Sequence, residues 1–202
     1  MANKKRIDSN LLIALGVLIC SFLGLLIYLQ QARIMREQTD LLLQQTKASA
    51  WPNLQVGLSL FNTSKKSTDS LKIVVANKGI GPAIIERVKV TYDGQIVKNW
   101  WDLFDKAKVP DSVSTGISNR NINKSVISAN EKFFWLQLNN DQDLTNWIYT
   151  RTEKIKIEIY YKSVFGDYWL LTKDGIQNTS ETIAIKNIDD HAMPKEKDAF
   201  TM

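Results

Sequence analysis

An uninterrupted apolar run near the N-terminus constrains this chain more than any other feature. Residues Leu11 to Leu29 read LLIALGVLICSFLGLLIYL, 19 residues without a side chain that is charged at neutral pH. As a helix with a rise of ~1.5 Å per residue, the run is about 28 Å long, close to the thickness of a bilayer's hydrocarbon core. Lipid offers the backbone no hydrogen-bond partner, and the run lacks the polar stripe of a surface helix. The sequence therefore predicts a transmembrane helix at residues 11–29.

The charges that flank this run bear on its orientation. Lys and Arg residues near the ends of a span are retained on the cytoplasmic side, and here their number is equal on both sides. Those of the N-terminal tail, residues 1–10, are packed closer together, which favours the tail inside and the C-terminal domain outside the cytoplasm. The reverse orientation stays open. The basic residues are Lys4, Lys5 and Arg6 before the run, and Arg33, Arg36 and Lys47 after it.

The run is typical of a retained signal-anchor rather than of a cleaved signal peptide. It is longer than the apolar core of a signal peptide, which has roughly 7–15 residues. The nearest A-x-A pattern, Ala48-Ser49-Ala50, begins 19 residues after Leu29, too far from the apolar run for cleavage. We therefore expect a single-pass protein that contacts membrane lipid.

Three small residues lie on one face of the predicted span. Gly16, Cys20 and Gly24 are four residues apart, and residues at that spacing stack along a helix. Such a face lets two helix backbones approach closely, so it predicts helix–helix contact in a homo-oligomer. A chance pattern is the alternative, since glycine is frequent in membrane spans. Cys20 is the only cysteine, which excludes an internal disulfide.

Residues 30–50 continue the helix as a stalk without Gly or Pro until Pro52. Ile34, Leu41 and Ala48 recur every seven residues, as in one row of a coiled-coil seam. The complementary row, Gln31, Gln38 and Gln45, is polar. We expect a weak coiled coil in a homo-oligomer. A helix lying on its own domain or on the membrane surface is the alternative.

The remaining chain differs in composition from this N-terminal part. Residues 1–50 carry six Lys and Arg against three Asp and Glu, whereas residues 51–202 carry 20 against 18. The nearly neutral C-terminal part argues against nucleic acid as a partner. The basic excess near the membrane suits anionic lipid head groups.

Alternating apolar and polar residues dominate residues 51–190 and predict an antiparallel β-sandwich. Short helices are expected at residues 99–106 and 141–150, a long loop at 110–130, and a disordered tail at 191–202. Asp93-Gly94 is a strong hairpin signal. The predicted strands are 54–60, 71–76, 83–92, 95–97, 133–138, 154–160 and 168–172, with a weaker one near Ile183, Ile185 and Ile188. The chain is therefore expected to be mainly β after its helix.

Residues 74–94 read VVANKGIGPAIIERVKVTYDG, an N-x-G-x-G-P-A pattern between two strands that a Y-D-G turn closes. This segment resembles immunoglobulin-like sandwiches of the CARDB type. The whole order also looks like bacterial proteins built as membrane anchor, short coil and sandwich, which implies the bacterial inner membrane. The resemblance supplies a structural turn and no catalytic residues. We expect Asn77 to bond its local backbone, Gly79 and Gly81 to take positive φ, and Pro82 to end the turn.

The sequence offers little for catalysis. His191 is the only histidine and lies in the polar C-terminal tail, so a His/Cys zinc site and a Ser-His-Asp arrangement are not expected. Asp102 and Asp105 could share a helical face, but solvated surface acids are the simpler interpretation. We expect no cofactor and no enzymatic activity.

Adjacent aromatic residues and nearby cations mark a possible partner surface. Trp100 and Trp101 cannot both point into one core, so one is expected to be exposed to a ligand, a partner or the membrane interface. The leading hypothesis is a non-enzymatic membrane protein whose sandwich binds a partner protein or ligand. The alternative is a cytoplasm-facing sensor that binds a small charged ligand, such as a nucleotide, and signals through its transmembrane helices. Its binding residues would come from Lys106, Lys108, Arg120 and Lys124.

Overall fold

A computed structural model describes residues 9–61, 70–109, 117–139, 142–176, 178–185 and 193–201. The chain divides into two compact units, Met1–Ala48 and Ser49–Met202. Most of the predicted basic tail, the side chain of Leu144, Ile188 and His191 lie outside the described residues.

The described residues of the N-terminal unit lie in one long helix, α1, Ser9–Ser49, which has 41 residues and no buried side chain. It is long and apolar enough to cross a membrane, which confirms the predicted apolar helix and its uninterrupted continuation. Ser21 lies inside the apolar run, and its hydroxyl donates to the Val17 carbonyl at 2.8 Å. That bond satisfies the hydroxyl within the helix itself.

The C-terminal unit contains ten strands and two short helices among its described residues. Most predicted strands are confirmed, and both short helices form where the sequence predicts them. The strands are β1 Leu54–Phe61, β2 Ser70–Asn77, β3 Ala83–Tyr92, β4 Gln95–Val97, β5 Ile117–Asn119, β6 Val126–Ile127, β7 Lys132–Asn139, β8 Ile155–Lys162, β9 Tyr168–Asp174 and β10 Glu181–Ile185; the helices are α2 Trp100–Lys106 and α3 Gln142–Tyr149.

The strands form two antiparallel sheets. One has the order β1-β2-β7-β5, and the other has the order β10-β9-β8-β3-β4, with β6 paired to the start of β3. The β3–β4 hairpin turns at Asp93 and Gly94, whose φ values of 49° and 79° are both positive, as a type I′ turn requires. The hairpin signal is therefore confirmed.

Alternation along the strands places one core between residues of both sheets. On β8, Ile157, Ile159 and Tyr161 are fully buried, while Lys156 and Glu158 between them are only partly buried. Side chains that alternate along a strand point to opposite faces of the sheet. Buried residues of the first sheet, such as Leu71, belong to the same apolar cluster. The predicted mainly β domain is thus confirmed as two antiparallel sheets around one core.

The start of the domain is fixed by the buried side chain of Asn77. Its carboxamide oxygen accepts from the backbone N–H groups of Asn53, at 3.1 Å, and Gly79, at 3.0 Å. Its nitrogen donates to the carbonyls of Gly81, at 2.8 Å, and Ile127, at 3.2 Å. The expected bonding of Asn77 to local backbone is observed, and it extends to two distant segments as well.

Gly79 and Gly81 are needed for a different reason than the sequence suggests. The expectation of positive φ is wrong, since among the described glycines only Gly94, Gly166 and Gly175 have it. A Cβ at Gly81 would lie 1.9 Å from the Ala50 carbonyl oxygen, and one at Gly79 would lie 2.3 Å from the Trp51 carbonyl oxygen. Glycine is therefore required because two backbone segments approach too closely for any side chain.

Two regions differ from the sequence-based expectations. The long loop expected at 110–130 contains β5 and β6. The chain end, expected to be a disordered tail, is packed onto the domain at residues 193–201. Phe200 is 3% exposed, and its ring lies 4.9 Å from that of Trp100 and 5.4 Å from that of Trp135. Its N–H donates to the Val88 carbonyl at 2.8 Å. One aromatic side chain thus anchors an otherwise polar segment.

The crowding at Gly81 leads to a stability prediction. We expect Gly81→Ala to lower the free energy of unfolding of the C-terminal domain by about 3–5 kcal/mol, because the new Cβ would meet the Ala50 backbone. Denaturant unfolding of the full chain in detergent, followed by tryptophan fluorescence, measures this change.

Gly57→Ala is the matched control for that variant. A Cβ at Gly57 meets nothing within 4 Å, and glycine in a strand costs roughly 0.5–1 kcal/mol relative to alanine. The control should therefore leave stability unchanged or raise it slightly. Equal losses in the two variants would show that close backbone approach is not what selects glycine at position 81.

Candidate functional site

The two adjacent tryptophans on α2 point in opposite directions. Asn99 caps the helix by accepting from the Asp102 N–H at 2.8 Å, which fixes the register of the first turn. Trp100 is 2% exposed and packs edge-on against Trp135 at 5.0 Å, so it belongs to the core and cannot be part of a partner surface. Trp101 is 59% exposed and remains available to a partner.

Carboxylates within the domain already engage most of the cations expected to bind a ligand. Lys106 pairs with Asp102, Arg120 pairs with Glu131 at 3.3 Å, and Lys124 pairs with Glu196. Lys108 is exposed and has no ion pair among the described residues. The structure therefore leaves Trp101 and Lys108 as the available members of the predicted partner surface.

Shifted pKa values accompany these pairs. Partial burial opposes ionisation of Asp102, but hydrogen bonds from the Lys106 amine and the Lys98 N–H outweigh it and hold the pKa below its usual value. The Ser128 N–H, at 2.9 Å, and the nearby Arg120 guanidinium likewise lower the pKa of Glu131. Each contribution to stability is present above the ordinary carboxyl pKa and is lost as the pH falls through the lowered value. The Asp102 carboxylate thus stabilises the start of α2, and the Glu131 carboxylate stabilises the turn between β6 and β7.

A shallow groove crosses the outward face of the first sheet. We call it the outer groove; its volume is about 280 Å³, and its lining residues are Gln55, Val56, Gly57, Leu58, Ser59, Val74, Ala76, Lys78 and Lys132. Gly57 has no side chain to fill it, and the apolar side chains of Val74 and Ala76, which are 8% and 7% exposed, line its floor. Lys78 and Lys132 have no ion pair among the described residues, and the lining contains no Asp or Glu. The groove is therefore suited to an acidic partner.

A second depression, the edge cavity, lies where β1 meets the connection between β9 and β10. Its volume is about 440 Å³, and its lining comprises Gln55, Val56, Gly57, Leu58, Lys173, Ile176, Asn178, Thr179 and Ser180. The Ser180 hydroxyl accepts from the Val56 N–H at 3.3 Å and donates to the Val56 carbonyl at 3.1 Å. This side chain satisfies the outward backbone groups of an edge strand that would otherwise be open.

Sequence reasoning did not select the residues of these two depressions, although the sequence contains signals for them. Gly57 interrupts the alternation of a predicted strand, and glycine in a strand often marks a site where another group approaches. Lys173 follows Trp169 and Leu171 at the inward positions of β9, where an apolar residue is expected. A charged residue at a core position is the more specific of the two signals.

The predicted contact residues of α1 remain uncovered. A Cβ at Gly16 or Gly24 meets no atom within 4 Å, and Cys20 between them is exposed. Ile34, Leu41 and Ala48 on the stalk are also exposed. No described residue occupies either surface, so both are open to another helix.

Metal-binding groups are not clustered in the part of the chain that the structure describes: no three His, Cys, Asp or Glu side chains lie together there.

Comparison of the chain with protein-family models, with curated proteins and with solved structures found no match.

Proposed function

We propose that this chain is a non-enzymatic, single-pass membrane protein whose β domain is an immunoglobulin-like sandwich that binds a protein partner. The observation that carries the binding role is the outer groove, in which two lysines without ion pairs flank apolar surface and no acid is present. Apolar contacts in a groove supply affinity, and the amines select an acidic segment.

The strand order supports an immunoglobulin-like fold. Constant-type immunoglobulin domains have sheets A-B-E-D and C-F-G. When β1, β2, β5 and β7 are taken as A, B, D and E, and β3, β8 and β9 as C, F and G, both sheet order and chain order agree. The additional β4 beside β3 corresponds to the C′ strand of other members, and the CARDB-type pattern at residues 74–94 falls on strands B and C.

The alternative, a sensor that binds a small charged ligand at residues 100–130, has less support. Lys106, Arg120 and Lys124 are each paired with a carboxylate, and the Arg120 guanidinium also lies 4.3 Å from the centre of the Phe133 ring. A phosphate at this loop would have to displace the carboxylates that pair with these cations, and the free energy of those ion pairs would be lost on binding. Partner binding at the outer groove requires no such exchange.

The groove proposal is tested by cross-linking in the native membrane. A photoreactive amino acid at Ser59 of the full chain should give a discrete adduct with one protein. Reversing both charges, with Lys78→Glu and Lys132→Glu, should lower its yield about tenfold or more, because like charges then face the acidic segment.

Lys197→Glu is the matched control, since Lys197 is an exposed lysine outside the groove. It should leave the adduct unchanged. An adduct that survives the double reversal, or that depends equally on Lys197, would contradict an acidic partner in the groove.

The domain is proposed to face outward from a bacterial inner membrane, as the denser N-terminal charges favour. Alkaline phosphatase fused to the C-terminus should then be active, and a fluorescent protein fused there should stay dark. The opposite pair of results would place the domain in the cytoplasm and favour the sensor alternative.

The chain is further proposed to form a homo-oligomer through α1. Replacing both Gly16 and Gly24 by leucine should reduce oligomers in detergent cross-linking, because the added side chains hold the helix backbones apart. Ala14→Leu with Ser21→Leu adds similar bulk on a different face and should preserve the oligomers. Oligomers that both double variants retain would remove the small-residue face from the proposal.

A further inference from the structure

Lys173 is a buried lysine in the core-facing row of β9. It lies opposite Ile157 on β8, and its inward neighbour on the same strand, Leu171, is fully buried. Lys173 itself is only 3% exposed. Lysine is almost never buried to this extent without an opposite charge.

The charge of Lys173 is not compensated within the described residues. Its amine donates to the Asn178 carbonyl, and no carboxylate oxygen of the described residues lies within ion-pair distance. An ammonium has three N–H donors, so a single neutral acceptor leaves most of its bonding capacity unused. A buried cation in this state is costly, and burial accordingly lowers the pKa of Lys173.

Lys173 and its acceptor residue Asn178 both line the edge cavity. Its volume of about 440 Å³ falls within the range of small-molecule sites, roughly 300–1,000 Å³. Thr179 and Gln55 contribute a hydroxyl and a carboxamide without a hydrogen-bond partner among the described residues. The lining contains no Asp or Glu. A positive charge, neutral donors and the absence of acids are together complementary to an anion.

We propose that the edge cavity binds a small oxyanion, a carboxylate or a phosphate group, with Lys173 as its counter-ion and Thr179 and Gln55 as neutral donors. The occupant would compensate a charge that has no opposite charge within ion-pair distance among the described residues. This site shares residues 55–58 of β1 with the outer groove but extends to Lys173 and the connection after β9, and the proposal does not depend on a partner in the groove. It places a small charged ligand at the end of β9 rather than in the loop at residues 100–130.

The test is thermal unfolding of the full chain in detergent, with inorganic phosphate or acetate added at constant ionic strength. An anion that binds the folded state raises the unfolding midpoint, by about 3–6 °C at ten times its Kd. Lys173→Met keeps the length and apolar stem of the side chain, and it should abolish the rise. Lys197→Met removes an exposed charge outside the cavity lining and should retain the rise.

The two probes distinguish the possible sources of the oxyanion. A response to phosphate alone indicates a phosphorylated small molecule, and a response to acetate alone indicates a carboxylate. Either response supports the proposed site if the Lys173→Met variant abolishes that response. An equal rise in the wild type and Lys173→Met, or no rise at all up to 50 mM of either probe (on the order of ten times a millimolar Kd), would overturn the proposal.

A second variant keeps the test decisive if Lys173→Met fails to fold. Thr179→Asp places a carboxylate at the mouth of the cavity, where it should raise the unfolding midpoint without added anion and compete with phosphate. Thr179→Asn supplies a neutral side chain of the same size and should do neither. If the Asp variant is no more stable than the Asn variant, the amine of Lys173 is not accessible from the cavity, and the proposal is wrong.

Discussion

The C-terminal domain depends on one buried carboxamide, that of Asn77. With no exposed surface, it cannot exchange its partners for water, so each of its hydrogen bonds must be made within the protein. These bonds tie the start of β1 to the connection between β2 and β3, and both to the end of β6. Because the three segments meet at one side chain, the backbones of Gly79 and Gly81 come close enough to residues 50–53 to exclude any Cβ.

The elements of this fold could be predicted because each strand carries its own local signal. The segment KIKIEIY assigns its inward and outward residues without reference to any other part of the chain. The structure has them as expected through Ile159, whereas Tyr160, at an outward position, is 6% exposed. Contacts between distant segments carry no such signal. The backbone approach at Gly81 and the packing of Phe200 on Trp100 join residues far apart in sequence. The local pattern therefore predicts positive φ at Gly81, which is wrong, and gives no indication that Phe200 is buried.

The candidate sites also divide into features that a local sequence pattern predicts and contacts between distant segments that it does not predict. The sequence identifies cations but not their partners, and Arg120 and Lys124 meet carboxylates 11 and 72 residues away. These long-range pairs neutralise residues that composition alone presents as binding groups. Lys173 shows the opposite case. Its inward position follows from the alternation of β9, whereas only the fold shows that no carboxylate of the described residues lies within ion-pair distance of it.

The outer groove and the edge cavity share residues 55–58 of β1, so an occupant of one contacts the strand that lines the other. This strand is the edge of its sheet, and Ser180 bonds its outward backbone groups at Val56. Ser180 also belongs to the connection that follows Lys173 and lines the edge cavity. An anion that orders this connection would therefore stabilise the position of β1 through the Ser180 bonds. By linkage, any effect of such an anion on partner affinity at the groove must be matched by an equal effect of the partner on anion affinity.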